Sequence, residues 1–268
     1  MNDRILSASN PKIKFVTSLQ QKKFRDREKL FICEGIRLCE TAVESNFEIE
    51  SAFFTSNLEP RGLKILESIN SRKCFEVSES IFIKISETQS PQGILLVVRM
   101  KDQNCDLEKI FQREKSITIV LDSIQDPGNL GTILRTSVAA DIDAIILLDG
   151  CVDLFSGKVI RSSMGAIFKL PPTIKMSRKN FIEILNRTKK IPIAASVENG
   201  INFFNVDLFE SGGSILIFGN EANGVSEDLL KISKKISIPM KNSMESLNVA
   251  VSTSIILYEA MRQRAFSE

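Results

Sequence analysis

The chain has 268 residues, 43% of them hydrophobic and 25% charged, with a net charge of +2; that length leaves room for two compact domains. It contains no histidine, which excludes a Ser-His-Asp hydrolase, a histidine general base and the helix-borne zinc site of a metalloprotease. The five cysteines (Cys33, Cys39, Cys74, Cys105 and Cys151) are scattered and never spaced C-x-x-C, so reduced thiols in a cytoplasmic protein are expected, without a disulfide frame or a metal site. No run approaches the roughly 18 apolar residues of a membrane span, and the N-terminus has no signal-peptide pattern.

A helix is predicted from near Asn10, with Ile13, Val16, Leu19 and Phe24 facing inward. From Pro11 to Lys29 it carries seven basic residues against two acidic ones. Such a stretch is either a solvated face or a footprint for RNA phosphates. In the second reading Lys12, Lys22, Lys23 and Arg25 bind RNA, with Arg37 from the next helical pattern. "LFICEG", "IESAFFTS", "KCFEVS" and "GILLVVRM" read as strands, separated by helical patterns near 35–46, 60–70 and 78–86. Residues 1–100 are thus a small α/β domain. Residues 101–115, highly charged and without a long apolar run, form a linker that has room for a helical turn.

Residues 116–268 form a second α/β series. "ITIVLDSI", "AIILLDG", "IPIAASV", "SILIFGN" and "ISIPM" are near-continuous apolar runs, as expected of parallel strands buried on both faces. Helical patterns fall at about 129–140, 157–164, 178–189 and 226–231. A last helix from about Ser246 to Arg264 presents Leu247, Ala250, Val251, Ser254, Tyr258 and Met261 on one face.

Ligands of open parallel sheets bind beyond the carboxyl ends of the strands, and three strand-end segments here differ from ordinary connectors. In "LDSIQDPGNLGTILRTSVAAD", Asp126 to Asn129 make a turn and helix start, Gly131 removes a side chain from the first turn, and Arg135 follows. "FGNEANGVSEDLL" holds Glu221 between Gly219, which permits close backbone approach, and Gly224, which can take a positive φ. In "ISIPMKNSMESLNVAVSTSI" Pro239 ends a strand, and Ser246 or Asn248 starts the last helix. Singly, Arg135 reads as a surface ion pair, Asn129 as a cap and Glu221 as a solvated acid; together they mark one site. The dinucleotide fingerprint G-x-G-x-x-G is absent.

"NLGTILRT", "FGNEANGV" and "IPMKNSMESLNVAVSTSIILYEA" resemble the three ordered motifs of the SpoU/TrmH family, in the SPOUT superfamily of S-adenosylmethionine-dependent RNA methyltransferases. The N-terminal "NPKIKFVTSLQQKKFRDREKLFICEGIRLCETA" resembles the substrate-binding domain that members acting on ribosomal RNA carry. The resemblance implies a homodimer, an α/β trefoil-knot catalytic domain, and methyl transfer from S-adenosylmethionine to a ribose 2′-hydroxyl, in 23S ribosomal RNA first of all. By the same resemblance Gly219, Ile238 and Leu247 hold the cofactor through backbone groups, with Ala195, Ser196, Asn220 and Met240 nearby. Arg135, Asn129, Glu221, Ser246 and Asn248 make up the reacting constellation. Asn242 departs from the pattern, since many relatives have Gly there.

Transfer from a sulfonium requires the acceptor oxygen, methyl carbon and sulfur to be held in line, away from water. Glu221 is expected to orient Arg135 or the ribose. A guanidinium stays protonated, so Arg135 is expected to bind phosphate and stabilise a developing alkoxide, with the proton leaving through water or Ser246. The alternatives are a transfer RNA ribose methyltransferase, an antibiotic-resistance methyltransferase, and a noncatalytic RNA-binding assembly factor on the same fold.

Overall fold

The structure is a computed structural model and describes residues 3–102, 105–197, 200–242 and 244–266. By contacts the chain forms two compact units, one of Met1–Asp102 with Asp153–Lys169, the other of Gln103–Val152 with Leu170–Glu268.

The first unit runs β1 (Asp3–Ile5), α1 (Pro11–Ser18), α2 (Lys22–Glu28), β2 (Leu30–Glu34), α3 (Ile36–Glu44), β3 (Ile49–Phe54), α4 (Pro60–Glu67), β4 (Cys74–Val77), α5 (Glu79–Ile85) and β5 (Ile94–Arg99). Its sheet has the order β1-β4-β3-β5-β2, with β5 antiparallel to both neighbours. Asn10 starts α1 by accepting from the Lys12 amide at 2.9 Å, and Pro11 supplies the preset φ of a first helical residue. Ile13, Val16 and Leu19 are buried as expected, with Phe24 half-buried against the same cluster as Phe53, Phe75 and Phe82.

The single basic helix of the sequence reading is two helices, because Arg25 intervenes. Its guanidinium donates to the carbonyls of Leu19 and Gln20, both at 2.7 Å, taking up acceptors that a continuing helix would use. The same side chain reaches Asp153 Oδ2 through Nε (3.1 Å) and Nη2 (2.6 Å). Arg25 is only 5% exposed, so the expectation that it binds RNA is corrected: it is an internal ion-pair residue. Lys12, Lys22, Lys23 and Arg37 are exposed.

The remaining elements are α6 (Leu107–Gln112), β6 (Ile117–Asp122), α7 (Pro127–Ala139), β7 (Ala144–Leu148), α8 (Gly157–Ser162), β8 (Thr173–Met176), α9 (Arg178–Thr188), β9 (Ile193–Ala195), β10 (Ile201–Asn202), β11 (Ser214–Gly219), α10 (Glu227–Lys231), β12 (Lys234–Ser237) and α11 (Val249–Phe266). The segment Asp153–Lys169, with α8, belongs to the first unit. There the Phe155 ring lies 4.8 Å from Phe31, and Phe168 lies 5.1 Å from Phe47.

In the second unit seven parallel strands are ordered β10-β12-β9-β11-β6-β7-β8. The sequence pattern misses the two outermost. β10 has two residues, and β8 ("TIKM") lies at an edge with Lys175 exposed, so neither shows a continuous apolar run. The central β6, β7 and β11 are buried along their whole length.

The last helix needs a correction too. It starts at Val249, and Asn248 Oδ1 caps it by accepting from the amides of Ala250 (2.9 Å) and Val251 (3.3 Å). Its buried face is Val249, Ala250, Thr253, Ile256, Leu257 and Ala260. Of the stripe on one face, Val251 and Tyr258 are 47% and 49% exposed. Polar and apolar residues are spread around α11, so periodicity alone does not select its inward face.

Candidate active site at the carboxyl edge of the parallel sheet

All strands of the second sheet run the same way, so their carboxyl ends share one edge. Pairing sets Gly219 beside Asp122, Ile217 beside Ala194 and Ile236 beside Ala195. The segments that leave this edge therefore start at neighbouring points: Ser123–Asn129, Ser196, Asn220–Ser226 and Ile238–Met240. The backbone is dense here. A Cβ on Gly219 would lie 2.1 Å from Gly224 C and Val225 N, so the close approach that this glycine permits is to its own chain. Gly224 turns back at φ +66. Asn242 has φ +59, a left-handed conformation that Gly adopts freely and Asn tolerates best among the others. The departure from the family pattern is thus accommodated.

Three of the expected residues form one hydrogen-bonded chain. Asp126 caps α7 by accepting from the Asn129 amide at 2.7 Å, which places Asn129 in the first turn. Asn129 Nδ2 donates to Glu221 Oε1 at 2.5 Å, and Asn248 Nδ2 donates to Asn129 Oδ1 at 3.0 Å. With a carboxylate at one end and helix amides on Asn248 Oδ1 at the other, both amide groups have a single consistent orientation. The chain ties the loop after β11 to the N-termini of α7 and α11.

Glu221 thus bonds Asn129 and not Arg135, the first of the two partners expected for it. Arg135 lies six residues beyond Asn129, about 9 Å along the helix axis. It is exposed, and no described residue forms a hydrogen bond or ion pair with it. Ser246 is exposed just ahead of α11. Asn220 is pinned by Nδ2 to the Ser123 carbonyl at 2.9 Å, while its Oδ1 accepts from the Ala222 amide at 2.8 Å. Ile238 and Met240 are half-buried, and Leu247 is 36% exposed. Gly131 is buried within α7.

Two residues of this edge escaped the sequence reading. Asp122, 1% exposed at the end of β6, accepts from the Ser226 amide at 2.9 Å and from Arg178 Nη2 at 3.1 Å. The signal was present, since a carboxylate ends the apolar run "ITIVLD". Its partner Arg178 is 56 positions away, and no spacing rule links the two.

Burial disfavours the thiolate at Cys151 and Cys33. Burial pushes the Cys151 thiol up to about 11, and burial, with Cys39 adjacent, raises Cys33 well above the ordinary thiol value. In the first unit Lys12 Nζ lies 4.3 Å from the Phe75 ring centroid, and Lys23 Nζ and the Arg27 guanidinium lie 5.0 and 4.9 Å from that of Phe24.

A parallel sheet whose carboxyl edge gathers three tied-down loops defines an α/β domain of the kind that binds ligands at that edge. The chain belongs to the SpoU rRNA Methylase family, which matches residues 116–258, preceded by an MRM3-like substrate binding domain over residues 10–96. It is 34% identical to the 23S rRNA (guanosine(2553)-2'-O)-methyltransferase RlmP of Bacillus subtilis, covering 95% of this chain and 98% of that protein. A crystal structure of an AdoMet-bound rRNA methyltransferase from Sinorhizobium meliloti superposes with a TM-score of 0.84 at 29% identity, over 97% of each chain. The SpoU methyltransferase AviRb from Streptomyces viridochromogenes gives 0.81 at 26% identity, over 96% of this chain and 98% of that one.

Proposed function

We propose that the protein is an RNA methyltransferase that transfers a methyl group from S-adenosylmethionine to a ribose 2′-hydroxyl of ribosomal RNA. The observation that carries this reading is the Glu221–Asn129–Asn248 chain, with Arg135, which has no partner among the described residues, on the same helix as Asn129. The edge fits the cofactor in its chemistry. Half-buried Ile238 and Met240, with Leu247, offer apolar surface to an adenine. The backbone offers donors and acceptors at Gly219, the last residue of β11, at Ile238, just beyond β12, and at Leu247, ahead of α11, with Asn220 and Ser196 nearby. Ala195 lies beside them and is small enough to leave room.

When bound, S-adenosylmethionine supplies an electrophilic methyl on a sulfonium, which needs no metal. The chain's own residues then have three tasks. The Glu221–Asn129–Asn248 chain fixes the loops that line the acceptor ribose, so the oxygen is held in line instead of searching. Arg135, permanently charged, binds the target phosphate and stabilises negative charge on the 2′-oxygen. The proton leaves to water, directly or relayed through the exposed hydroxyl of Ser246.

Lys12, Lys22, Lys23 and Arg37 contribute long-range attraction to phosphate, which salt screens. The exposed apolar residues of α11, Val251 and Tyr258, cover a second copy in a homodimer, and the enzyme works in the cytoplasm. The test is transfer of labelled methyl groups to 23S ribosomal RNA and, in parallel, to total transfer RNA, followed by mass spectrometry of the nucleosides. A 2′-O-methylated nucleoside in ribosomal RNA is expected. Label in transfer RNA alone would overturn the substrate and keep the chemistry.

A further inference from the structure

The loop that carries Glu221 is tied at both ends to one point, the end of β6. At its start Asn220 Nδ2 donates to the Ser123 carbonyl at 2.9 Å; at its finish the Ser226 amide donates to Asp122 Oδ2, also at 2.9 Å. Between them the turn closes on itself, the Gly224 amide donating to the Asn220 carbonyl at 2.8 Å. The other oxygen of Asp122 accepts from Arg178 Nη2 at 3.1 Å and from Ser123 Oγ at 3.3 Å. Arg178 also reaches Asp228, just beyond the loop, at 3.6 Å.

This junction is not arranged for stability. A carboxylate that is 1% exposed gives up its hydration, which one ion pair seldom restores in full. Beside it Ser226 Oγ and Arg178 Nε are buried without a hydrogen-bond partner among the described residues, each an unfavourable state. Ser123, which is not glycine, sits in the left-handed region at φ +60. Strain of this kind persists where surrounding structure over-determines a functional geometry.

We propose that Asp122 and Arg178 are positioning residues for the methyl transfer, a proposal that rests on the reading above. Asp122 anchors the 220–226 loop and Arg178 anchors Asp122. Together they hold the Glu221 carboxylate on Asn129, so the loop is in place before substrate arrives. Loss of the anchor frees the far end of the loop and lets Glu221 leave Asn129, without touching any atom that meets RNA.

The experiment compares Asp122→Asn, Arg178→Met, Arg178→Lys and the Asp122→Asn/Arg178→Met double variant. Hydrogen exchange of the full-length, ligand-free proteins is followed by single-turnover methylation and by calorimetric titration with S-adenosylmethionine. Asp122→Asn is expected to speed exchange in the 221–226 segment while β2 exchanges as in the wild type. Its kcat should fall about tenfold or more while KM for RNA stays within about twofold. Arg178→Met should give a similar loss, the double variant no further loss, and Arg178→Lys partial recovery. The proposal is overturned if the loop exchanges no faster. It is equally overturned if the loop loosens and kcat stays near wild type, or if the two losses add. Should the wild type methylate no RNA at all, the methyl-transfer reading fails by itself. The anchor is then judged on exchange and on cofactor affinity, which Asp122→Asn should weaken.

Discussion

Two arginines on two short helices show how differently one side chain can be employed. Arg25 on α2 and Arg135 on α7 both follow an apolar segment, and both suggest phosphate binding in the sequence. Arg25 is 5% exposed and spends its donors on Asp153, Leu19 and Gln20. Arg135 is exposed and spends none on any described residue. Donors already satisfied inside the protein have little left for a ligand, whereas an unpaired guanidinium held on a capped helix is available to one. The chemistry of the residue is the same; the supply of internal acceptors decides its task.

That contrast is most severely tested by removing the free arginine. Arg135→Ala is expected to reduce kcat by about 10²–10³-fold, the usual loss for one charge-stabilising donor, with the melting temperature unchanged. Single-turnover kinetics beside a thermal melt checks this, and turnover near the wild-type value would refute the assignment. Arg25→Met should show the reverse. Removing the buried guanidinium from its ion pair with Asp153 is expected to destabilise the protein by about 3–5 kcal/mol, measured by urea unfolding, with kcat per folded molecule preserved. Next, Glu221→Gln removes the charge but keeps the shape of the Asn129 partner. A loss of roughly tenfold in kcat is expected, smaller than for Arg135, because Glu221 acts through Asn129.

The smallest effects belong to exposed groups and to the buried thiol. Lys22→Ala with Lys23→Ala should lower RNA affinity modestly and reduce the salt slope by about one to two, as read from binding at several salt concentrations. Arg25→Met should leave that slope unchanged. Cys151 is held protonated by burial, at about 11 in place of 9.0. Its raised value contributes stability that is complete below pH 9 and is lost as pH rises towards 11. Alkylation of this thiol in the native protein should therefore be very slow at pH 8, and faster after unfolding.

Much of this architecture was legible in the sequence because its signals are local. Long apolar runs such as "ITIVLD" and "SILIFG" read as buried strands, and Asn10 and Asp126 mark helix starts by their own side chains. The short edge strands β8 and β10 escaped because an edge needs no continuous apolar run. The split of the basic segment into α1 and α2 escaped because it depends on Arg25, whose partner Asp153 lies 128 positions away. For the site, motif resemblance brought Asn129, Glu221 and Asn248 together, but not the order in which they bond. It also did not reveal the Asp122–Arg178 anchor.

The sequence by itself determined the class of each domain, the strands of the buried sheet, and the residue types available for chemistry, histidine being absent. Periodicity and composition act on neighbours in the chain, so these follow without knowledge of the fold. Tertiary structure alone decided which arginine is left without a partner among the described residues, which oxygen Asn129 faces, and which stripe of α11 is buried. Each of those is a competition for acceptors or for apolar area among residues far apart in sequence, and only packing settles it.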